Sequence, residues 1–183
     1  GTDVLVFPET IVSGYFVEGG VLEVARSIED LEFELAARLK GLTRPLDLVI
    51  GFYERAEGHL YNSSAYLEAT AQGVKAINVY RKVFLPTYGV FDEERFVSPG
   101  NALSVFETRF GPSGMLICED VWHSIMPTLV ALKGAKVLYV PAASPARNLA
   151  DSLPGNHERY RRLMKTMAEE HGIFAINSLL LGF

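Results

Sequence analysis

The chain contains a single cysteine, Cys118, at a point where the local sequence pattern changes. The apolar residues 115–117 predict the end of a short buried strand, and residues 124–132 predict a helix. A thiol exposed at such a strand-to-helix turn can act as a nucleophile, because the positive end of the helix dipole favours the thiolate. The next backbone N–H can also face the oxygen of an attacked carbonyl. The alternative is that Cys118 is a small buried apolar residue, as many free cysteines are.

Two charged residues that could act with a thiol stand at the ends of other predicted strands. Glu9 follows the apolar run 4–7 after a proline, at the position where α/β folds place their ligands. Lys82 closes the predicted strand 74–83. Both residues have an ordinary alternative, since most surface carboxylates and lysines are solvated side chains.

Two further stretches have the composition of a site. The loop 84–101 is aromatic and rich in proline and glycine, and it carries Glu93 and Glu94. Loops of this length without regular structure are often functional, although neighbouring carboxylates more often form a solvated surface. The polar stretch 61–64 could face a site or could equally form an ordinary mixed strand surface.

Strands and helices that would position these residues alternate along the chain. Ser27 and Asp30 have the spacing of a capping box at the start of an amphipathic helix that ends near Gly41. The runs 60–68 and 74–83 predict a hairpin. The remaining predicted elements are strands at 4–7, 46–52, 103–107, 115–117, 137–140 and 173–177, a turn at 111–114, helices at 124–132 and 158–170, and an irregular loop at 141–154. This alternation predicts an α/β domain with a mixed sheet.

Composition excludes several classes of function. The chain has 183 residues, of which 49% are hydrophobic, so a single domain with a substantial core is expected. The net charge of -5 and the lack of a long basic run argue against nucleic acid and anionic membrane surfaces as partners. No apolar run is long enough to span a bilayer, and no signal peptide opens the sequence. One lone thiol suits a reducing compartment, so we expect a cytoplasmic protein. The scattered histidines have no ligand spacing, so no metal site is expected.

Four separated motifs follow one another along the chain: Phe7-Pro8-Glu9-Thr10, Tyr80-Arg81-Lys82-Val83-Phe84-Leu85-Pro86, Phe91-Asp92-Glu93-Glu94-Arg95-Phe96 and Leu116-Ile117-Cys118-Glu119-Asp120. In this order they resemble the carbon–nitrogen hydrolase family, the nitrilase superfamily, and the resemblance covers nearly the whole chain. It implies an α/β fold of the four-layer αββα type with mixed sheets. We expect residues 1–183 to form one domain of this kind, incomplete at both ends because the family's first strand and last strands are lacking.

The resemblance also implies roles for individual residues. Glu9 would be the general base, Lys82 the electrostatic partner and Cys118 the nucleophile. Glu93 would be a second carboxylate that orients the site, with its neighbour Glu94 as the other choice for this role. No cofactor is implied. The expected activity is that of a thiol amidohydrolase, which cleaves the non-peptide C–N bond of a small linear amide or N-carbamoyl compound through a thioester.

Alternative functions remain open at this stage. The motifs also resemble the glutaminase domain of glutamine-dependent NAD synthetase, although Ala142, Ala143 and Arg147 depart from the pattern of that branch. A non-catalytic binding domain that kept the fold is a further alternative, and so is acyl transfer to an amine. The family implies a homodimer with contacts through the predicted helices near residues 122–132 and 158–170. We expect the substrate to be bound by residues of the two long loops and of the cysteine turn, namely Tyr88, Glu119, Trp122, Ser144 and Arg147.

Overall fold

Two four-stranded sheets form the centre of the structure, a computed structural model that describes residues 1–17, 19–88, 91–143 and 155–180. The strands of the first sheet lie in the order β1 to β4, with β1 parallel to β2 and the others antiparallel. These strands are β1 (Val4–Val6), β2 (Leu46–Ala56), β3 (His59–Thr70) and β4 (Gly73–Arg81). The predicted hairpin is the pair β3–β4, and β2 continues further than expected into a second hairpin with β3.

The second sheet has the order β5 to β8, with an antiparallel pair β5–β6 followed by parallel strands. Its strands are β5 (Val105–Thr108), β6 (Gly111–Met115), β7 (Val137–Ala142) and β8 (Phe174–Leu179). Parallel pairing leaves the carboxyl ends of β6 and β7 at the same edge of the sheet, where loops can build a site.

Helices cover the outer faces of both sheets. They are α1 (Val21–Val24), α2 (Ile28–Arg38), α3 (Ile125–Leu132) and α4 (Gly155–His171). The predicted capping box starts α2, because the Asp30 amide donates to Ser27 Oγ at 3.1 Å and the Ser27 amide donates to the Asp30 carboxylate at 3.3 Å. Helix α2 packs on the first sheet, whereas α3 and α4 pack on the second. The predicted four-layer αββα sandwich is thereby confirmed.

Strand β2 shows how the alternation of side chains builds two of the layers. Leu48, Ile50 and Phe52 join the apolar cluster under α2, while Val49 between them joins the core shared with the second sheet. Successive side chains of a strand point to opposite faces, so a strand buried on both faces has a continuous apolar run. In the part of the chain that the structure describes, no helix is long and apolar enough to cross a membrane.

The predicted turn at residues 111–114 is wrong, because the structure places these residues in β6. The reversal lies one step earlier, and Gly111, with φ of +100°, closes the hairpin opposite Thr108. Gly114 has a packing reason for being a glycine within a strand. A Cβ atom there would lie 2.4 Å from Val130 Cγ1, so the missing side chain allows α3 to approach β6 closely.

Candidate active site

Glu9, Lys82 and Glu93 meet in the interior although they come from three separate parts of the chain. Lys82 Nζ lies 2.8 Å from Glu9 Oε1 and 2.7 Å from Glu93 Oε1, so one ammonium bridges two carboxylates. The side chains of Lys82 and Glu9 are 0% exposed and that of Glu93 is 6% exposed. Glu94 is exposed, so the carboxylate that contacts the lysine is Glu93.

Neutral groups complete the hydrogen bonding of the two carboxylates. Asn62 Nδ2 donates to Glu9 Oε1 at 2.7 Å and lies 3.4 Å from Glu93 Oε2. The backbone amide of Ala143 donates to Glu9 Oε2 at 2.8 Å, and the Tyr15 hydroxyl donates to Glu93 Oε1. Buried charges persist when they are paired and hydrogen-bonded, as the charges of this cluster are.

Glu9 reaches this position because β1 pairs with β2 and the chain then crosses over a glycine. The Phe7 amide donates to the Val49 carbonyl at 2.9 Å and guides the chain beyond β1 along its neighbour. A Cβ atom at Gly51 would lie 2.4 Å from the Thr10 amide nitrogen and 2.9 Å from Glu9 Cα. Only a residue without a side chain allows the segment that carries Glu9 to lie against β2.

Lys82 and Glu93 are fixed by backbone hydrogen bonds at the end of β4. The Lys82 amide donates to the Asn62 carbonyl at 2.9 Å, and its own carbonyl accepts from the Gly100 amide at 2.7 Å. Glu93 begins a short 3₁₀ helix (Glu93–Arg95), and its amide donates to the Pro86 carbonyl at 3.1 Å. The long loop that follows Lys82 therefore folds back and presents its first glutamate to the lysine.

Cys118 lies just beyond β6, in a strained backbone conformation. Its φ of +47° is in the left-handed region, which is uncommon for a residue with a side chain and is often retained at functional sites. Its Sγ lies 3.1 Å from the Tyr160 hydroxyl and 3.9 Å from the carbonyl oxygen of Ala143, the residue whose amide binds Glu9. The thiol therefore lies beside the charged cluster.

Two features of the cysteine turn differ from the expectation. A short 3₁₀ helix (Cys118–Trp122) follows the cysteine directly and α3 begins only at Ile125, so the dipole of α3 does not start at the thiol. Cys118 is also only 8% exposed, because β7 and α4 cover it. The sequence predicted the position of this turn correctly, but it did not show how closely β7 and α4 pack over the cysteine.

Asp120 connects the cysteine turn to the strand that carries the lysine. Its carboxylate accepts hydrogen bonds from the Ile117 amide at 3.0 Å, the Phe84 amide at 2.9 Å and the Tyr80 hydroxyl at 2.9 Å. Asp120 is 0% exposed, so these partners replace water completely. The position of Cys118 relative to Lys82 is thus set by a carboxylate that the sequence analysis did not single out.

The electrostatics of the site keep the resting thiol protonated. Burial raises the pKa of the Cys118 thiol and the charge of Glu9 raises it further, whereas Lys82 and the hydrogen bond with Tyr160 act in the opposite direction. Burial alone would lower the pKa of Lys82, but the charges of Glu9 and Glu93 outweigh burial and raise this pKa well above its ordinary value. Burial also raises the pKa of Glu93, against the effect of Lys82. Lys82 is therefore an ammonium at neutral pH, and a base is needed to ionise the thiol.

Comparisons with known proteins identify the family of the chain. The sequence profile of the family described as Carbon-nitrogen hydrolase matches residues 1–182. The chain belongs to the carbon–nitrogen hydrolase family. The glutamine-dependent NAD(+) synthetase of Xylella fastidiosa is 33% identical over an alignment of 177 positions, which covers 94% of this chain and 30% of that protein. The N-carbamoylputrescine amidase of Solanum tuberosum is 27% identical over an alignment of 186 positions, which covers 100% of this chain and 61% of that protein.

A solved relative has the same fold. The glutamine-dependent NAD+ synthetase from Acinetobacter baumannii, solved in complex with ADP, superimposes with a TM-score of 0.80 and 26% identity. The match covers 98% of this chain and 32% of that one. This carbon–nitrogen hydrolase chain thus spans about a third of the synthetases and less than two thirds of the amidase that it matches.

Three of the residues predicted to bind substrate have side-chain partners in this carbon–nitrogen hydrolase chain, and two lie outside its described part. The Tyr88 hydroxyl donates to Glu119 Oε2 at 2.7 Å, which connects the long loop to the residue after the cysteine. Trp122 Nε1 donates to the Tyr160 hydroxyl at 3.1 Å. Ser144 and Arg147 lie outside the described residues. No group of three or more histidine, cysteine, aspartate and glutamate side chains within the described ranges could hold a metal ion.

A cavity of about 250 Å³ adjoins the cluster at Tyr15 and Glu93. Its walls are mainly aromatic and aliphatic, and two carboxylates lie at its edge. The lining residues are Tyr15, Phe16, Val17, Val21, Tyr53, Phe91, Asp92, Glu93, Phe96 and Val97. The loop 84–101 contributes half of them. Residues 15–17, Val21 of α1 and Tyr53 of β2 contribute the others, and nothing in the sequence indicated that these positions line a site.

Proposed function

We propose that this domain is a thiol amidohydrolase that cleaves the non-peptide C–N bond of a small linear amide or N-carbamoyl compound. The observation that carries the proposal is the buried lysine held between two carboxylates beside a strained, buried cysteine. A thiol, a base within the same cluster and a fixed cation are the parts that acyl transfer from an amide requires. Ion pairs that only stabilise a fold usually lie at a solvated surface, whereas this ion pair is shielded from water and adjoins a nucleophile.

Acylation begins with transfer of the Cys118 proton to Glu9. The sulfur then forms a bond to the amide carbon, and the carbonyl electrons move to oxygen. Lys82 and the backbone N–H of Glu119 stabilise this oxyanion, since the first amides of a helix have no intrahelical acceptor. When the C–N bond breaks, Glu9 returns its proton to the leaving nitrogen, and a thioester remains on Cys118.

Deacylation repeats these steps with water as the nucleophile. Glu9 takes a proton from water, the oxygen attacks the thioester carbon, and the same donors hold the second oxyanion. The C–S bond breaks, the thiolate regains its proton from Glu9, and the acid product leaves. Glu93 keeps Lys82 charged and in place throughout, and Asn62 and Tyr15 orient the carboxylates.

The decisive experiment combines product analysis with intact mass measurement. Wild type is expected to release ammonia or amine from a reactive linear amide, and Cys118→Ala is expected to reduce turnover to background because no thioester can form. Glu9→Gln should lose turnover almost as completely, since an amide accepts no proton from the thiol. Glu94→Gln is the matched control, because this exposed neighbour of Glu93 should retain full turnover. Hydrolysis by Cys118→Ala at the wild-type rate would exclude covalent catalysis and favour a non-catalytic or different role of the cysteine.

A glutaminase domain that supplies ammonia to NAD synthesis is the second candidate. It is favoured by the 33% identity with the synthetase of Xylella fastidiosa. The same assay separates the candidates when glutamine is compared with N-carbamoyl amines and simple ω-amides. We also propose that Arg147 binds a substrate carboxylate with two hydrogen bonds, and a preference for acidic amides that is lost in Arg147→Ala would support this. In contrast, the carboxylates of Asp92 and Glu93 at the edge of the cavity favour a substrate whose group in the cavity is neutral or cationic.

We also propose a homodimer that forms through the outer helices. The apolar side chains of Ile125, Leu129 and Leu132 follow one another along one face of α3 and are 53%, 38% and 79% exposed. An exposed apolar stripe of this kind is typical of a protein interface.

A further inference from the structure

Tyr160 contacts the reacting sulfur but lies outside the four sequence motifs that contain Cys118 and the charged residues of the site. It lies on α4, is 1% exposed, and its hydroxyl oxygen is 3.1 Å from Cys118 Sγ. The same oxygen is 3.1 Å from Trp122 Nε1. The rings of Trp122 and Tyr160 meet edge to face, with centroids 5.6 Å apart. The phenol is therefore held between an indole N–H and a thiol.

The chemistry of these groups decides the direction of both hydrogen bonds. An indole N–H can only donate, so the Tyr160 oxygen must be the acceptor toward Trp122. The Tyr160 proton then remains available for the sulfur. When Glu9 removes the thiol proton, the sulfur becomes an acceptor only, and Tyr160 is the donor that faces it.

We propose that Tyr160 is a further catalytic residue, which donates a hydrogen bond to the Cys118 thiolate and is polarised for this role by Trp122. The proposal rests on the function proposed above. A donor that binds one hydrogen-bond acceptor while accepting another hydrogen bond is strengthened as a donor, because successive hydrogen bonds polarise one another. Trp122 itself lies under the guanidinium of Arg159, whose Cζ is 4.0 Å from the indole ring centroid.

This hydrogen bond acts at two points of the reaction. It stabilises the thiolate before attack, when sulfur carries the charge. It stabilises the sulfur again when the thioester intermediate collapses and the C–S bond breaks. In the thioester itself the sulfur is a weak acceptor, so the hydrogen bond favours the charged form of the sulfur over the acylated form.

The other groups that act on the thiol belong to the charged cluster or to the backbone beside it. Glu9 and Glu93 carry negative charge, Lys82 carries positive charge, and the Ala143 carbonyl lies 3.9 Å from the sulfur. The carboxylates and burial raise the pKa of Cys118, whereas Lys82 and the hydrogen bond with Tyr160 lower it. Tyr160 is thus the neutral donor in this set, and its contribution can be removed without changing the charge of the site.

The experiment measures the rate of Cys118 alkylation by iodoacetamide against pH, which requires no amide turnover. Tyr160→Phe keeps the ring and removes the hydroxyl. We expect its alkylation rate at pH 8 to fall about tenfold, with the pH curve displaced to higher pH, because a hydrogen bond to a charged group is lost. Trp122→Phe keeps the donor but removes its polarising partner, so a smaller displacement in the same direction is expected. Tyr66→Phe is the matched control: Tyr66 is a buried tyrosine whose hydroxyl binds Asp47, and its loss should leave the curve unchanged.

Tyr160→Phe with native circular dichroism and an unchanged alkylation curve would overturn the proposal. If Tyr160→Phe does not fold, Trp122→Phe decides: a displaced curve supports the hydrogen bond to sulfur, and an unchanged curve contradicts it. A displaced curve together with a failure to hydrolyse any amide would leave the hydrogen bond in place and reject only the hydrolase function. The two proposals therefore fail in distinguishable ways.

Discussion

Two ion-pair clusters lie on neighbouring residues at the end of one strand, and their surroundings differ greatly. Arg81 binds Glu54 in a bidentate manner, with Nε at 2.8 Å and a second nitrogen at 3.0 Å, and its guanidinium lies 4.2 Å from the ring centroid of Tyr61. Its side chain is 27% exposed. Lys82, the next residue, is 0% exposed and bridges Glu9 and Glu93. Successive side chains point to opposite sides, so one cation reaches toward solvent and the other enters the interior.

The comparison shows how residue type matches environment. The planar guanidinium of arginine suits a fixed bidentate contact with a carboxylate and a stacked aromatic ring, which stabilise the hairpin. Lysine is a compact point charge, and its burial between two carboxylates has a large desolvation cost. A protein retains such a costly arrangement most readily where the charge acts on a reacting group. We therefore propose that Arg81 stabilises the fold and that Lys82 takes part in the chemistry.

The largest expected difference between the two clusters concerns turnover. Lys82→Met should reduce amide hydrolysis by a factor on the order of 10² to 10³, because an oxyanion partner is lost. Arg81→Met should retain turnover within about threefold, since exposed or partly exposed positions away from the site have small effects. Steady-state rates of both variants on one amide test this. Equal losses in the two variants would mean that the buried position has no special part in catalysis.

The two clusters should differ less in their contribution to the free energy of unfolding than in their effect on turnover. Lys82→Met leaves two buried carboxylates without a cation, so we expect the free energy of unfolding to fall by about 3–5 kcal/mol. Arg81→Met should lower it by roughly 1–2 kcal/mol, because Ser63 still donates to Glu54 at 2.7 Å and the vacated space opens to water. Urea unfolding measures both values. Adding Glu93→Gln to Lys82→Met should recover part of the lost free energy of unfolding, because one of the two unpaired carboxylates is then neutral. A further decrease in this free energy would contradict the explanation that the unpaired carboxylates cause the loss.

The smallest expected effects concern the pH dependence of the cysteine. Because burial and the charge of Glu9 raise the pKa of Cys118, the thiol predominates from pH 6 to 9, and its alkylation rate should rise throughout this window without a plateau. Glu9→Gln removes a charge that raises this pKa, so alkylation at pH 8 should become about threefold to tenfold faster even though hydrolysis is lost. Lys82→Met should slow alkylation by a similar factor.

Arg81→Met is the control for these alkylation measurements and should leave the pH curve unchanged. A plateau of the wild-type rate below pH 8 would show a thiolate that is already formed at rest. In that case the general base would not be needed for the first step.

Several features of the site were predictable because each of them depends on local sequence. Glu9 follows the apolar run 4–7, which contains β1, and Cys118 follows the run 115–117, of which Met115 ends β6, so both residues lie just beyond a strand as predicted. The motif order separated Glu93 and Glu94 from ordinary surface carboxylates, but it did not choose between them. The choice depends on the 3₁₀ helix, which turns Glu93 toward Lys82 and leaves Glu94 in solvent.

Other features were not predictable, because their partners are distant in sequence. Tyr15 binds Glu93, Tyr160 binds Cys118, and the Ala143 amide binds Glu9, and these partners are 78, 42 and 134 positions apart in the sequence. The local sequence around a tyrosine in an apolar segment or on an amphipathic helix is the same whether its hydroxyl binds another group of the core or a reacting sulfur. The turn expected at residues 111–114 failed for a related reason, since Gly114 is required by the approach of α3.

The sequence by itself determined an α/β class with a mixed sheet, because apolar periodicity and turn residues act over a few neighbouring positions. It also determined the order of the motifs, and their resemblance to the family implied the αββα sandwich and the residues that could carry acyl transfer. Only the tertiary structure decided which carboxylate contacts Lys82, how deeply Cys118 is buried and that Tyr160 faces its sulfur. Those outcomes depend on how two sheets and their helices pack together, and the desolvation and hydrogen bonding that result are properties of contacts between distant segments.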